Sequence, residues 1–224
     1  MPDIPTFKRE RAALAQGYHL VAGVDEAGRG PLAGPVVAGA VILPEDWLNR
    51  RRRLLPSRNG MDPRHLVRDS KQLSAGQRER AYDAITADAM AWGVGIVSSE
   101  TIDQIGIVPA TRQAMKDAID ALGQRPDTLL VDAVDLSDTG IHCEAIIHGD
   151  ALCGVIAAAS IIAKVTRDRC MDEMDRLYPG YGFAQHKGYA TEEHSARLLE
   201  YGPCAIHRRT FAPVRAILTQ PRLF

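Results

Sequence analysis

The 224-residue chain has no surplus of charge: 27 Lys and Arg stand against 28 Asp and Glu, a net charge of −1. A global basic field for nucleic acid is therefore missing, and any such binding has to come from a local patch. Cysteines are few, namely Cys143, Cys153, Cys170 and Cys204, and none forms a C-x-x-C pair. That excludes a zinc knuckle and a thioredoxin-type motif. The even count leaves disulfides open, but nothing indicates export, so the reading is reduced, partly buried thiols. The N-terminus carries Asp3, Lys8, Arg9, Glu10 and Arg11 and lacks an apolar core, so no signal peptide is expected. No apolar run reaches the roughly 18 residues of a membrane span. A cytoplasmic, monomeric protein is the expectation. The seven histidines show no metal-ligand spacing, and neither G-x-G-x-x-G nor a Walker A lysine pattern occurs, so a nucleotide cofactor is unsupported. Internal repeats and low-complexity segments are also absent.

What is present is an ordinary globular mix, 46% hydrophobic and 25% charged, long enough for one domain with a sizeable core. Residues 1–16 read as a short amphipathic helix or an arm. Apolar runs over 18–24 and 36–43 predict two antiparallel strands joined by a Gly/Pro-rich turn. Residues 44–68 are polar and contain Arg50 to Arg53 in succession, a solvated face or, alternatively, a phosphate-facing patch. Ser74 and Gln77 have capping-box spacing and open a helix to about 90. Residues 92–98 alternate like a strand, and 108–122 carry helical spacing ended by Gly123 and Pro126. Short strands follow over 128–131 and 144–147. A long helix is expected from about 151 to 177, and its small apolar stretch 157–163 calls for burial against a sheet. Further helices are expected from 191 and over 211–218. Strands first, then strands alternating with helices, predict a mixed α/β sheet with helices on both faces.

The stretch Gly23-Val24-Asp25-Glu26-Ala27-Gly28-Arg29-Gly30-Pro31 organises the rest. Two carboxylates at the end of a predicted strand meet a turn whose glycines let backbone amides approach a ligand. Neighbouring side chains in a strand point to opposite faces, so a shared site for Asp25 and Glu26 needs a bend or a bridging metal. Asp132 and Asp150 also fall at predicted strand ends, where ligand sites of open α/β sheets gather. Hard oxygen donors without His or Cys suit Mg²⁺ or Mn²⁺. Each acid alone also reads as a cap or turn residue: Asp150 precedes a helix, and Asp132 has a rival in Asp135.

These residues resemble a known family, ribonuclease HII, the type 2 ribonuclease H. The run Val24-Asp-Glu-Ala-Gly-Arg-Gly-Pro-Leu-Ala-Gly-Pro-Val-Val resembles its opening motif and Asp69-Ser-Lys-Gln-Leu-Ser74 its second block. His148-Gly-Asp150 with Ile156-Ala-Ala-Ala-Ser-Ile-Ile-Ala-Lys-Val-Thr-Arg-Asp168 resembles the third, and Tyr181-Gly-Phe with His186-Lys-Gly-Tyr189 the fourth. The resemblance spans about residues 18–214. It implies a ribonuclease H-like mixed five-stranded sheet flanked by helices, with a core over about 18–178 and a C-terminal helical part over about 179–224 of a single domain. It implies endonucleolytic cleavage of RNA in RNA–DNA hybrids and 5′ of single ribonucleotides embedded in duplex DNA, leaving 3′-hydroxyl and 5′-phosphate ends. Asp25, Glu26, Asp132 and Asp150 become the catalytic acids that bind Mg²⁺ or Mn²⁺ for two-metal hydrolysis. Gly28, Arg29 and Gly30 would contact the 2′-hydroxyl, and Tyr189 the neighbouring deoxyribose. Members often carry glycine after the third acid, where this chain has Ala133. Lys71 is assigned to a substrate phosphate or, equally, to plain surface. Asp168 is expected to pair with Arg167 or a distant base, and His186 to approach substrate or to be structural. Gln220, Leu223 and Phe224 resemble a bacterial sliding-clamp motif. The sister family ribonuclease HIII carries an extra N-terminal domain, for which the 17 or so residues before the first strand are too few. A non-catalytic nucleic-acid binder and a small-molecule phosphatase are the alternatives outside the family.

Overall fold

The computed structural model describes residues 5–49, 67 and 70–219. Arg50 to Arg53, Asp69 and the tail residues Gln220, Leu223 and Phe224 lie outside them. Five strands form one sheet in the order β3-β2-β1-β4-β5: β1 Val21–Ala27, β2 Val36–Ile42, β3 Ala91–Val97, β4 Thr128–Asp132 and β5 His142–Ile146. β1, β2 and β3 pair antiparallel, and β1, β4 and β5 parallel. The helices are α1 Lys8–Ala15, α2 Glu45–Asn49, α3 Ala75–Asp88, α4 Ser99–Ile105, α5 Ile107–Asp120, α6 Gly149–Leu152, α7 Gly154–Leu177, α8 Phe183–His186, α9 Glu192–Tyr201 and α10 Ala212–Thr219.

The inner strands β1, β2 and β4 are mostly apolar on both faces because both are covered, whereas the edge strands β3 and β5 are partly exposed. Val21, Val41 and Leu130 point to the core beneath α7, while Ala22, Val24, Leu129 and Val131 point to the core beneath α5. The period-2 alternation of side chains produces this division directly. The small-residue stretch of α7 lies buried on the sheet as its composition requires. It comes so close that a Cβ on Gly23 would stand 2.3 Å from the Val155 carbonyl oxygen, and one on Gly39 2.6 Å from that of Ala159. At these two glycines the helix thus rests directly on strand backbone.

Several expectations shift. β1 runs through Ala27 and does not end at Val24, because β2 keeps pairing (Asp25 with Gly39, Glu26 with Ala38) after β4 has stopped. β5 begins two residues earlier than expected, in register with Thr128. The helix expected over 151–177 is broken at Cys153, which is extended at φ −120° and ψ 123°. The cause is non-local: Thr6 pairs there, with Thr6 N–H donating to Leu152 O and Gly154 N–H to Thr6 O, both at 3.1 Å. Helix α4 was not expected; Ser98 caps it by accepting from the Thr101 N–H. The capping box at Ser74 and Gln77 forms with both bonds in place. All four cysteines are free thiols. Among the described residues, no helix is long and apolar enough to cross a membrane.

Candidate active site

The parallel strands β1, β4 and β5 end on the same side of the sheet. Val24 pairs with Val131 and Asp132 with Ile146, so the strand ends bring Asp25 beside Asp132. Asp150 follows β5 by one tight turn and sits inside α6. It is not the N-cap of that helix; His148 holds that position in the left-handed region at φ 57°. Asp135 is not part of the group: it accepts from Ser137 N–H and Oγ and closes the next turn.

Asp25 is buried, and its Oδ1 accepts from the Glu26 N–H at 2.7 Å. Burial, then the charges of Glu26, Asp132 and Asp150, push its carboxyl well above the usual carboxylate range. Burial also raises Glu26, against the pull of Arg29, whose Nη1 lies 3.3 Å from Glu26 Oε1. Glu26 Oε2 is buried without any hydrogen-bond partner. Burial raises Asp132 as well, opposed by the Gly149 N–H that donates to its Oδ1 at 2.7 Å. Lys71 Nζ stands 3.1 Å from Asp150 Oδ2 and lowers both Glu26 and Asp132 electrostatically. One ammonium thus partly offsets three of the four acids.

Among the described residues, no three Asp, Glu, His or Cys side chains close around a common point tightly enough to enclose a metal ion as they stand. In kind, the donors fit a hard divalent cation: all are carboxylate oxygens, mutually repelling, and one is a buried oxygen left without a donor. An unpaired buried acceptor of that sort is costly unless a cation or donor meets it.

Beside the acids, the loop 28–35 leaves β1. Gly28 is buried at φ +97°, and a Cβ there would lie 2.1 Å from Arg167 Nε, so only glycine fits. Arg29 and Gly30 are exposed. The Tyr189 turn is tied to this loop by Leu32 N–H donating to Gly188 O at 2.8 Å. Tyr189 is 44% exposed, available for contact, with Arg167 and Lys164 on its ring at 5.8 and 5.9 Å. His186 is structural: Nε2 donates to Tyr181 O, and Nδ1 accepts from Gly188 N–H. Asp168 pairs with Lys164 and the distant Arg78, not with Arg167.

Sequence reasoning did not find Arg208, or the role of Arg167, both fully buried and bonded to the carbonyls of this loop. Burial pushes the Arg208 guanidinium down to about 9. No local signal separates it from its exposed neighbour Arg209. The left-handed residue Ala133, at φ 52°, was legible only as a departure from the glycine that family members often carry.

The family model for ribonuclease HII matches residues 22–214. Ribonuclease HII of Enterococcus faecalis is 53% identical over 209 residues, covering 93% of this chain and 76% of that one. The solved ribonuclease H2 of Pyrococcus horikoshii OT3 superposes with a TM-score of 0.71 at 30% identity, covering 89% of this chain and 97% of that chain. Ribonuclease HII of Archaeoglobus fulgidus, solved in complex with PCNA, superposes with a TM-score of 0.71 at 28% identity, covering 91% and 98%. With four carboxylates at the parallel strand ends, a glycine-rich loop beside them and a family match across nearly the whole sequence, the chain belongs to the ribonuclease HII family of metal-dependent endoribonucleases.

Proposed function

We propose that this enzyme cuts RNA in RNA–DNA hybrids and on the 5′ side of single ribonucleotides in duplex DNA, leaving 3′-hydroxyl and 5′-phosphate ends, and so removes ribonucleotides from DNA. The observation that carries the reading is the convergence of Asp25, Glu26, Asp132 and Asp150 beside the exposed Arg29–Gly30 turn. These four acids are the residues to hold Mg²⁺ or Mn²⁺. Two such ions, when bound, supply water activation and leaving-group stabilisation for in-line hydrolysis. The chain's own part is positioning. Burial keeps Asp25 fixed, and Gly149 N–H aims Asp132. Lys71 pairs with Asp150 at the edge of the group, where its ammonium would meet a substrate phosphate. Gly28, Arg29 and Gly30 read the 2′-hydroxyl, the group that distinguishes RNA from DNA. Tyr189 packs on the neighbouring deoxyribose.

The tail residues Gln220, Leu223 and Phe224 are the proposed clamp-binding segment. A clamp partner has support in the relative solved in complex with PCNA. Unchanged clamp affinity in a pull-down after deletion of residues 220–224 rejects that assignment.

The deciding experiment is cleavage of a DNA duplex carrying one ribonucleotide, with Mg²⁺, Mn²⁺ or EDTA, beside a nitrophenyl phosphate control. A metal-dependent cut 5′ of the ribonucleotide supports the reading. No cut by folded enzyme with either metal sinks it, and turnover of the small phosphate alone redirects it to a phosphatase.

A further inference from the structure

Arg167 and Arg208 are the largest fully buried side chains among the described residues. Neither makes an ion pair among the described residues; all six of their hydrogen bonds go to backbone carbonyls. A buried guanidinium without a carboxylate is costly, and here five of the six bonds hold the loop 28–35, the sixth running from Arg167 Nη1 to Lys187 O. Arg208 donates from Nη2 to Gly28 O at 2.6 Å, from Nη1 to Arg29 O at 2.8 Å and from Nε to Gly34 O at 3.0 Å.

The first two carbonyls belong to consecutive peptide groups, whose N–H groups are those of Arg29 and Gly30. Both of these peptides are trans, so in each group the C=O and the N–H point in opposite directions. With both carbonyls turned inward onto one guanidinium, both N–H groups turn outward. Residues 29 and 30 are exposed, and no acceptor among the described residues takes either N–H. Successive outward amides form a concavity for an anion or lone pair. A charged donor on the carbonyl further polarises each peptide and strengthens its N–H as a donor. Asp103 fixes the segment that carries Arg208, accepting from Arg209 N–H at 2.8 Å and Thr210 N–H at 3.0 Å.

We propose that Arg208 is a positioning residue that presents the Arg29 and Gly30 amides to the ribonucleotide's 2′-hydroxyl and adjacent phosphate, so that ribose selectivity depends on a side chain that touches no substrate. This rests on the reading of the Gly28–Gly30 loop as the ribose reader. Affinities are measured by fluorescence anisotropy for two duplexes that differ by one embedded ribonucleotide, in the Asp25→Asn background, with and without Arg208→Lys and Arg208→Met. The ribonucleotide duplex loses about tenfold with either substitution, the worth of one or two net hydrogen bonds, while the all-DNA duplex keeps its affinity. Lysine does not rescue, because a point charge cannot replace a planar fork that spans three carbonyls. A merely structural role lowers both affinities together and leaves their ratio alone; that result, or an unchanged ratio in a folded variant, overturns the proposal.

A second measurement needs no change at Arg208. The ¹⁵N amide resonances of Arg29 and Gly30 move when the ribonucleotide duplex is added and stay near their free positions with the all-DNA duplex. If they do not respond to the ribonucleotide, the proposal fails even where the Arg208 variants do not fold. If protein with Arg208 intact binds both duplexes equally, the ribose-reader assignment itself has failed, and this inference falls with it.

Discussion

Asp25 is a residue whose ionised form the fold disfavours. Its carboxyl is raised by burial and by the acids around it, so the charged form costs stability at neutral pH, and that cost disappears below the unfolded carboxyl's range near 3.8. Asp25→Asn removes the charge and keeps the shape. Cleavage of the single-ribonucleotide duplex is expected to vanish, while the metal-free protein melts a few degrees higher at pH 7. A lower melting temperature contradicts the electrostatic account. Ala133 is a second strained position, left-handed at φ 52° directly after Asp132. Only glycine adopts that region freely, so Ala133→Gly is expected to stabilise by about 1 kcal/mol, or about 2–4 °C for a chain of this size. Equal or lower stability by thermal melting would show the turn to be unstrained. Asp25 and Glu26 were legible as a pair because charge is rare at the end of an apolar run. Ala133 was legible only against family habit, because nothing in an alanine announces a positive φ.

The C-terminal elements α8 and α9 and the segment leading into α10 enclose a network of three histidines. His194 Nδ1 donates to Tyr189 O at 2.8 Å, and its Nε2 accepts from His207 Nε2 at 3.0 Å. His207 Nδ1 accepts from Cys204 N–H at 3.0 Å. These partners specify one tautomer for each ring and require both to be neutral. Burial first, then His194, pushes His207 down to about 4. A folded value below the unfolded 6.5 means that stability is fully present above pH 6.5 and is lost as pH falls toward 4. The loss is on the order of 3 kcal/mol. His207→Asn is expected to flatten this part of the stability–pH curve, read as the difference between wild-type and variant melting temperatures at pH 7 and pH 4.5. A constant difference rejects the assignment. The network also supports the turn that carries Tyr189, which explains why an apparently scattered set of histidines had no ligand spacing. The break between α6 and α7 belongs to this scale too: helical periodicity runs through Cys153, and only pairing with Thr6 interrupts it.

At the scale of the molecule, the C-terminal part is tied into the sheet and does not merely follow it. Arg208 bonds the loop after β1, His207 bridges Ala33, and Tyr181 and Phe183 pack with Ala33 and Met171. Melting one part exposes the other's buried polar groups. A single calorimetric transition is therefore expected, with equal calorimetric and van't Hoff enthalpies. Two resolved transitions would divide the chain near residue 178.

Sequence by itself determined the five strands and the main helices, though not α4 or the break at Cys153, and it nominated the acids and the cation chemistry proposed for them. These follow from period-2 and helical patterning and from the rarity of charge at apolar strand ends. The mixed sheet and the family were readable for a related reason: the motifs sit where strands end, and strand ends carry the candidate site, whereas the strand order came only from the structure. Only the tertiary structure decided that β1 continues through Asp25 and Glu26, since β2 pairs beyond the end of β4. It alone separated Arg208 from Arg209, two identical neighbours of which one is buried on the backbone of a loop 174 to 180 residues earlier. Contacts at that separation leave no local pattern, because their residue types are dictated by partners that the chain reaches only by folding.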